Sequence, residues 1–158
     1  MRTIPTRLQE FFAEHRVVTL AVVGPDGQPH AAAVFYAAGE GLALYFLTDP
    51  RTRHGQALRR CPRVAGTIQE DRQPWRRIRG VQLRGSCRPL AGAERDQGWQ
   101  VYRRRYPFLR RPVRALASAL RSAVLWKLEL DWIRLIDNRC GFGAAVEWVA
   151  TAPRVRGR

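Results

Sequence analysis

The sequence has little lysine and little cysteine, and both shortages are informative. Lys127 is the one lysine among 28 basic residues, so arginine carries almost all the positive charge of this 158-residue chain. The three cysteines, Cys61, Cys87 and Cys140, are odd in number and widely spaced. This spacing argues against a disulfide framework and a cysteine metal site, and we expect idle thiols. The three histidines form no metal-binding set with a nearby acid or cysteine either, so no metal site is predicted.

Long apolar runs are also absent. The best candidate for a membrane span, residues 31–47, is interrupted by Glu40 and falls short of the roughly 20 apolar residues that a span needs. Residues 1–5 lack the apolar segment of a signal peptide. We therefore predict a cytoplasmic protein without a membrane partner.

The apolar content excludes a disordered chain, because 46% of the residues are hydrophobic. A chain of this length buries enough surface to fold without disulfides or metals. We predict a single domain over residues 1–150, followed by a basic, flexible tail over residues 151–158.

The positive charge is concentrated in the middle of the chain. Residues 51–121 contain 19 basic and 4 acidic residues, whereas the rest of the chain is neutral. An arginine-rich region of this kind attracts phosphates, nucleic acid or an acidic surface. A solvated, arginine-rich helix face explains the same composition, and both interpretations stay open at this point.

Periodicity and turn residues predict a β-rich chain with helical insertions. Alternating and β-branched residues between Gly, Pro and Asp predict strands, and apolar residues at helical spacing predict helices. The predicted strands cover residues 16–23, 29–37, 42–48, 63–70, 77–90, 124–136 and 146–150. The predicted helices cover residues 4–15, 93–106 and 112–122, and a further helix of about ten residues is predicted in the segment that Asp49-Pro50 opens and Cys61-Pro62 ends.

Tight turns between the first strands indicate antiparallel pairing. The predicted class is therefore mainly β (α+β): a barrel of about six strands with helices inserted after the third and the fifth. Gly80 and Gly85 predict a bulge or a close backbone approach in the fifth strand. Strict alternation in the last long strand places Trp126 and Trp132 on the same face.

The junction between the third strand and the following helix carries the best candidate for chemistry. The first turn of a helix presents unpaired backbone N–H groups and a partial positive charge, which together bind phosphate well. Thr52, Arg53 and His54 would add a hydroxyl, a guanidinium and a ring nitrogen to this junction. The competing interpretation is an ordinary capped helix with surface arginines.

At this junction the sequence also resembles a known family, the pyridoxamine 5′-phosphate oxidase-like, FMN-binding split-barrel superfamily. Within it, the chain is similar to a small group of bacterial proteins related to that oxidase. The resemblance extends from about Val17 to Trp148. It rests on Phe46-Leu47-Thr48, Thr52-Arg53-His54, Arg79 to Gly85, Tyr102 to Pro107, and Asp137-Asn138 followed by Gly141-Phe142-Gly143.

The resemblance implies a six-stranded antiparallel split β-barrel with peripheral helices. It also implies a homodimer in which two FMN clefts lie at the subunit interface. In the family, a Ser-Arg-Lys triplet after the third strand grips the FMN phosphate, and Thr52, Arg53 and His54 stand at those positions. Thr48 keeps a threonine that precedes the triplet. His54 replaces a permanent charge with a side chain that is only partly protonated near neutral pH.

Other positions depart from the family pattern. The oxidase carries an arginine and a lysine on its second strand, whereas residues 32–37 here contain no charge. A flavin-contacting glutamine of the fifth strand would fall at Gly80, and Gln82 lies two residues further on the same face of the strand. For the residues that surround the flavin from the C-terminal part, the local candidates are Asn138 and Phe142.

The resemblance and its departures give the functional prediction: an FMN-binding flavoprotein, acting as a flavin-dependent oxidoreductase on an unknown small molecule. It is not pyridoxamine 5′-phosphate oxidase itself. The flavin ring carries the electrons, so no catalytic side chain is assigned. Three alternatives stay open: a flavin-binding protein without catalysis, a related ligand such as a deazaflavin or haem, and a nucleic-acid-binding module that uses residues 51–121.

Overall fold

The computed structural model describes residues 4–150, so the predicted tail over residues 151–158 lies outside the described residues. The strands are β1 Val17–Val23, β2 Pro29–Ala38, β3 Leu44–Thr48, β4 Arg63–Gln69, β5 Arg79–Pro89, β6 Val124–Asp137 and β7 Ala145–Val149. The helices are α1 Thr6–Glu14, α2 Arg53–Arg60, α3 Gly92–Arg105 and α4 Arg114–Ser122.

The strands form a closed antiparallel barrel. Their order is β3-β2-β1-β4-β5-β6-β7, and an additional β3–β6 pairing closes the first six strands into a ring. Strand β7 lies outside this ring and pairs with β6 alone. The predicted six-stranded antiparallel barrel with peripheral helices is confirmed.

The barrel interior is filled by every second residue of its strands. On β3, for example, Leu44 and Phe46 are fully buried, and Trp126 of β6 stacks on Phe46 with the ring centroids 6.5 Å apart. Helix α1 contributes Leu8, Phe11 and Phe12 to the same core cluster, and these recur at helical spacing. This cluster joins α1 to the strands, and a second cluster of buried residues, which includes Ala37, Leu90, Tyr102 and Tyr106, lies where α3 packs against the barrel.

The prediction that Trp126 and Trp132 lie on the same face of β6 is wrong. Gly85 pairs with Leu130 and Arg84 with Trp132, so Asp131 is an extra residue on β6 that has no opposite partner. This bulge reverses the alternation of β6. Trp126 is therefore buried inside the barrel, whereas Trp132 lies on the outer face, where the Arg84 guanidinium covers its ring at 4.8 Å.

Cys61, Cys87 and Cys140 are all free. Burial raises the pKa of the Cys87 thiol to about 12, which keeps it protonated and unreactive. Within residues 4–150, no helix is long and apolar enough to cross a membrane.

Candidate functional site

The predicted phosphate-binding junction is a tightly built turn between β3 and α2. Thr52 is the N-cap of α2: its Oγ1 accepts a hydrogen bond from Gly55 N at 3.1 Å and donates one to the Asp49 carbonyl at 2.8 Å. A Cβ on Gly55 would lie 2.4 Å from that same Asp49 oxygen. Only glycine fits there, a requirement that the sequence analysis did not recognise.

Three of the predicted site residues meet at this turn. Thr48 Oγ1 lies 3.2 Å from Thr52 Oγ1 and is also hydrogen-bonded to His54 Nε2. Because the Thr52 hydroxyl proton goes to Asp49, the bonds are consistent when His54 donates to Thr48 and Thr48 donates to Thr52. We call the cluster of Thr48, Thr52, Arg53 and His54 the cradle.

The cradle has hydrogen-bond donors to spare. The backbone N–H groups of Arg53 and His54 lie in the first turn of α2 and have no partner within residues 4–150. The Arg53 side chain is exposed and forms no ion pair with any described residue. Free N–H groups, a free guanidinium and the positive end of a helix are the features that bind a phosphate group, so these residues fit one.

His54 brings no permanent charge to the cradle. Burial lowers the pKa of its imidazole below the ordinary value, because the desolvated ring resists protonation. The ring is therefore neutral at pH 7. It positions Thr48 and offers a hydrogen bond rather than a charge.

Asp49 lies beside the cradle, yet its charge is balanced. Its carboxylate accepts hydrogen bonds from the Arg51 guanidinium at 2.6 Å and from Ser122 Oγ at 2.8 Å. The Arg51 contacts hold the pKa of Asp49 well below its usual range, so it stays ionised and paired. The bond to Ser122 also ties the end of α4 to the cradle, a contact that the sequence analysis missed.

Two cradle residues, Thr48 and His54, line a largely apolar pocket of about 700 Å³, a typical size for a small-molecule site, whereas Thr52 and Arg53 do not line it. Thr48, Asp49, Arg51 and His54 contribute polar groups to its wall. The apolar wall comes from β2, α3, α4 and the turn after α3, and includes Ala33, Phe35, Tyr102, Tyr106, Leu109 and Leu116. The uncharged second strand noted in the sequence thus forms one side of the pocket.

Gln82 stands apart from the other predicted residues. It is exposed on the outer face of β5, between Thr67 and Arg134 on the neighbouring strands, and does not line the pocket. A row of directly paired residues crosses four adjacent strands on the outer face, from Ala33 on β2 through Thr19 on β1 and Thr67 on β4 to Gln82 on β5. Three strand spacings, roughly 14 Å, therefore separate Gln82 from the pocket wall.

Asn138 and Phe142 also lie outside the pocket of their own chain. Asn138 Nδ2 donates a hydrogen bond of 2.7 Å to the Trp75 carbonyl, and its Oδ1 accepts one of 3.0 Å from Gly143 N. Phe142 is 84% exposed and contacts Trp75 edge to face. The loop over residues 138–143 is therefore fixed to the β4–β5 connection rather than to the cradle.

The barrel agrees with a comparison of the chain with protein families. Residues 4–137 match the family model described as pyridoxamine 5′-phosphate oxidase. The chain belongs to this family. Among curated relatives, the "UPF0306 protein YhbP" of Salmonella typhi is 37% identical over 145 residues, which are 91% of this chain and 92% of that protein.

Solved structures give the same fold. The heme binding protein of Mycobacterium smegmatis superposes with a TM-score of 0.72 and 21% identity over 93% of this chain, which spans 59% of that protein. An FAD-binding protein of Mesorhizobium loti superposes with a TM-score of 0.60 and 22% identity over 84% of this chain and 94% of its own. At these identities the likeness concerns the fold.

Proposed function

We propose that the chain is an FMN-binding, flavin-dependent oxidoreductase that acts on an unknown small molecule, and that it is not pyridoxamine 5′-phosphate oxidase. The observation that carries the proposal is the cradle. It offers two unpaired backbone N–H groups, the Arg53 guanidinium and the Thr48–Thr52–His54 hydroxyl and ring cluster at the edge of an apolar pocket.

Each cradle residue has a role in holding the FMN phosphate. Arg53 supplies the one permanent side-chain charge, as a two-pronged donor. Thr52 caps the first turn of α2 by accepting a hydrogen bond from Gly55 N. His54 fixes the position of the Thr48 hydroxyl by a hydrogen bond. When bound, FMN supplies hydride and electron transfer through its own ring, so the protein provides orientation and electrostatics.

The pocket wall argues against pyridoxamine 5′-phosphate as the substrate. Ala33 and Phe35 line the pocket on β2, the strand on which the oxidase carries an arginine and a lysine. In the oxidase these two charges serve the cofactor phosphate and the flavin side, so the surroundings of the flavin on this strand are apolar in this chain and charged in the oxidase. We therefore assign a less charged, more apolar substrate to this chain.

A homodimer with the cofactor cleft at its interface is part of the proposal. Ala21 pairs with Ala31 on β2 and with Ala65 on β4, and all three are exposed on the outer face. Val17 and Phe35 form an apolar, exposed pair beside them. We call these five residues the alanine face. It is uncharged, borders the pocket through Phe35, and suits close contact with a second copy.

Placing an arginine on the alanine face tests the dimer. A21R is expected to convert the protein from dimer to monomer, because the long charged side chain would be desolvated at the interface. Sedimentation velocity reports the change, and circular dichroism checks that the barrel stays folded. A93R, at an exposed position of α3, adds the same charge elsewhere and leaves the dimer intact. An A21R protein that sediments like wild type would remove the alanine face from the interface.

His54 predicts a characteristic pH dependence of FMN binding. Burial lowers the pKa of the free ring, and a bound phosphate raises it, so binding by wild type gains strength as pH falls. H54K carries its charge throughout and is expected to bind FMN roughly tenfold more tightly at about pH 8.

The ratio of the wild-type to the H54K dissociation constant separates the effect of His54 protonation from the effect of phosphate protonation. The titration of the FMN phosphate is common to both proteins, so this ratio should fall between about pH 8 and about pH 6. Fluorescence titration of FMN measures both constants. H30K adds the same charge outside the cradle and serves as the control. A ratio that does not change with pH would contradict the role of His54.

Redox turnover tests the oxidoreductase assignment. Under anaerobic conditions, a nicotinamide donor is expected to bleach the flavin absorbance of the FMN-loaded protein, and oxygen should restore it. A bound flavin that neither reagent cycles would favour the alternative of storage or sensing. A protein that takes up haem in place of FMN would favour the ligand named for the Mycobacterium smegmatis protein.

Nucleic acid is the weaker alternative, because several arginines of residues 51–121 are engaged within the chain. Arg51 pairs with Asp49, Arg63 with Asp131 and Arg88 with Glu94. Arg105 bonds to backbone carbonyls of residues 13 and 15. A steep loss of oligonucleotide affinity with salt would revive this alternative.

A further inference from the structure

A second pocket, of about 310 Å³, lies on another part of the molecule and is mostly polar. It is formed where the end of α1, the β4–β5 connection, the start of β5 and the turn after β6 meet. None of its lining residues lines the apolar pocket beside the cradle. We call it the arginine pocket, and its charged or titratable lining residues are His15, Glu70, Arg72, Arg77, Arg79 and Arg139.

His15 presents an unpartnered buried nitrogen in the wall of this pocket. Its Nδ1 lies 2.8 Å from the Phe11 carbonyl, which only accepts hydrogen bonds, so Nδ1 carries the proton. The side chain is 9% exposed, and Nε2 has no hydrogen-bond partner within residues 4–150. Glu70 is the nearest carboxylate, at 3.9 Å, which is beyond hydrogen-bond distance.

The orientation of this ring is fixed. The imidazole stacks on Phe11 with ring centroids 4.0 Å apart, and the Nδ1 bond prevents it from turning over. Arg105 holds the backbone on either side, through the carbonyls of Ala13 and His15. The Nε2 atom of His15 therefore keeps a fixed position in the pocket wall.

The pocket carries an excess of positive charge. Arg79 is paired with Glu14 at 3.1 Å, and Arg139 with Asp137 at 2.7 Å. Arg72 and Arg77, in contrast, have no carboxylate partner among the described residues. Glu70 is the one acidic residue of the lining. Two uncompensated guanidinium groups thus face one carboxylate.

The β4–β5 connection fixes the backbone that carries Arg72 and Arg77 before any ligand binds. Gln73 donates hydrogen bonds to the carbonyls of Glu70 and Arg79, at 2.9 and 3.0 Å, and accepts one from Arg79 N at 2.7 Å. These bonds fasten the connection to the start of β5. The backbone of the arginine pocket is therefore preformed, which lowers the entropic cost of binding.

We propose that the arginine pocket binds a phosphate group, either free or as part of a small molecule. Arg72 and Arg77 bind its oxygens as two-pronged donors, and His15 donates a third hydrogen bond from Nε2. Nδ1 keeps its proton on Phe11, so His15 takes up one proton from solvent when the anion binds. Glu70 opposes binding. This site is independent of FMN and of the cradle.

Nitrogen NMR of a histidine-labelled protein tests the proposal directly, since the chain has three histidines. Addition of pyrophosphate or inorganic phosphate at about pH 7 is expected to move the His15 Nε2 signal to that of a protonated ring. Binding of pyrophosphate but not of inorganic phosphate would point to a larger phosphate compound. A response limited to His54, without one at His15, would overturn the proposal.

Charge variants give a second test with opposite signs. R72Q/R77Q is expected to weaken pyrophosphate binding at His15 about tenfold or more, and E70Q to tighten it several-fold. R59Q/R60Q on α2 and E40Q after β2 make the same charge changes at exposed positions outside the pocket. If these controls change the pyrophosphate affinity measured at His15 as much as the pocket variants do, the binding is a diffuse attraction to the charged surface and the proposed site is refuted.

Discussion

Replacing Arg53 with alanine is expected to weaken FMN binding by about 1.5–3 kcal/mol, a rise of roughly 10- to 150-fold in the dissociation constant. Arg53 is the one permanently charged side chain of the cradle, and it has no ion-pair partner in the described chain. Its loss therefore leaves the phosphate with the free backbone N–H groups of the first turn of α2, because the Thr48 and Thr52 hydroxyls and the His54 ring bond to one another and to Asp49. Fluorescence titration measures the change.

Two controls isolate the phosphate contact in this experiment. R59A removes an exposed arginine from the last turn of the same helix and should leave FMN affinity within about twofold. Riboflavin lacks the phosphate, so R53A should leave its affinity unchanged. Equal losses for riboflavin and FMN would mean that Arg53 acts on the fold or the ring rather than on the phosphate.

Replacing Gly85 with alanine is expected to lower the free energy of unfolding by about 3 kcal/mol, a large part of the stability of a small domain. A Cβ on Gly85 would lie 2.2 Å from the Glu129 carbonyl oxygen and 2.8 Å from Leu128 Cδ1. Backbone oxygen in a sheet cannot move aside without breaking the β5–β6 ladder beside the Asp131 bulge. Urea denaturation gives the value.

Gly80 is the matched control on the same strand. A Cβ there would meet its nearest atom, the Ile68 carbonyl oxygen, at 3.5 Å, which is an ordinary contact. G80A is therefore expected to change stability by less than about 1 kcal/mol. If G80A and G85A cost the same, the close approach of β5 to β6 at Gly85 is not what requires glycine.

The parts of the molecule that the sequence predicts well are local in the chain. Thr48, Thr52 and His54 lie within one strand–turn–helix junction, so strand and helix signals alone bring them together. The strands and their antiparallel order follow from alternation and turn residues. The closure of the barrel by pairing of β3 with β6 was predicted from the family resemblance rather than from the pattern of residues.

The parts that the sequence did not predict depend on contacts between distant segments. Alternation gives no sign that Asp131 is an extra residue, because its neighbours still alternate in type. Gln82 shares a strand face with Gly80, yet its distance from the cradle depends on strand order. The arginine pocket joins His15, Arg77 and Arg139, which only the fold brings together.

The most direct test of the account is the visible absorbance spectrum of the purified protein after FMN is added and the excess is removed. Wild type is expected to retain flavin bands at about one FMN per chain, and R53A to lose them during the same washing. A wild-type protein that keeps no flavin, or one that shows a haem spectrum in its place, would contradict the assignment of the cradle to FMN.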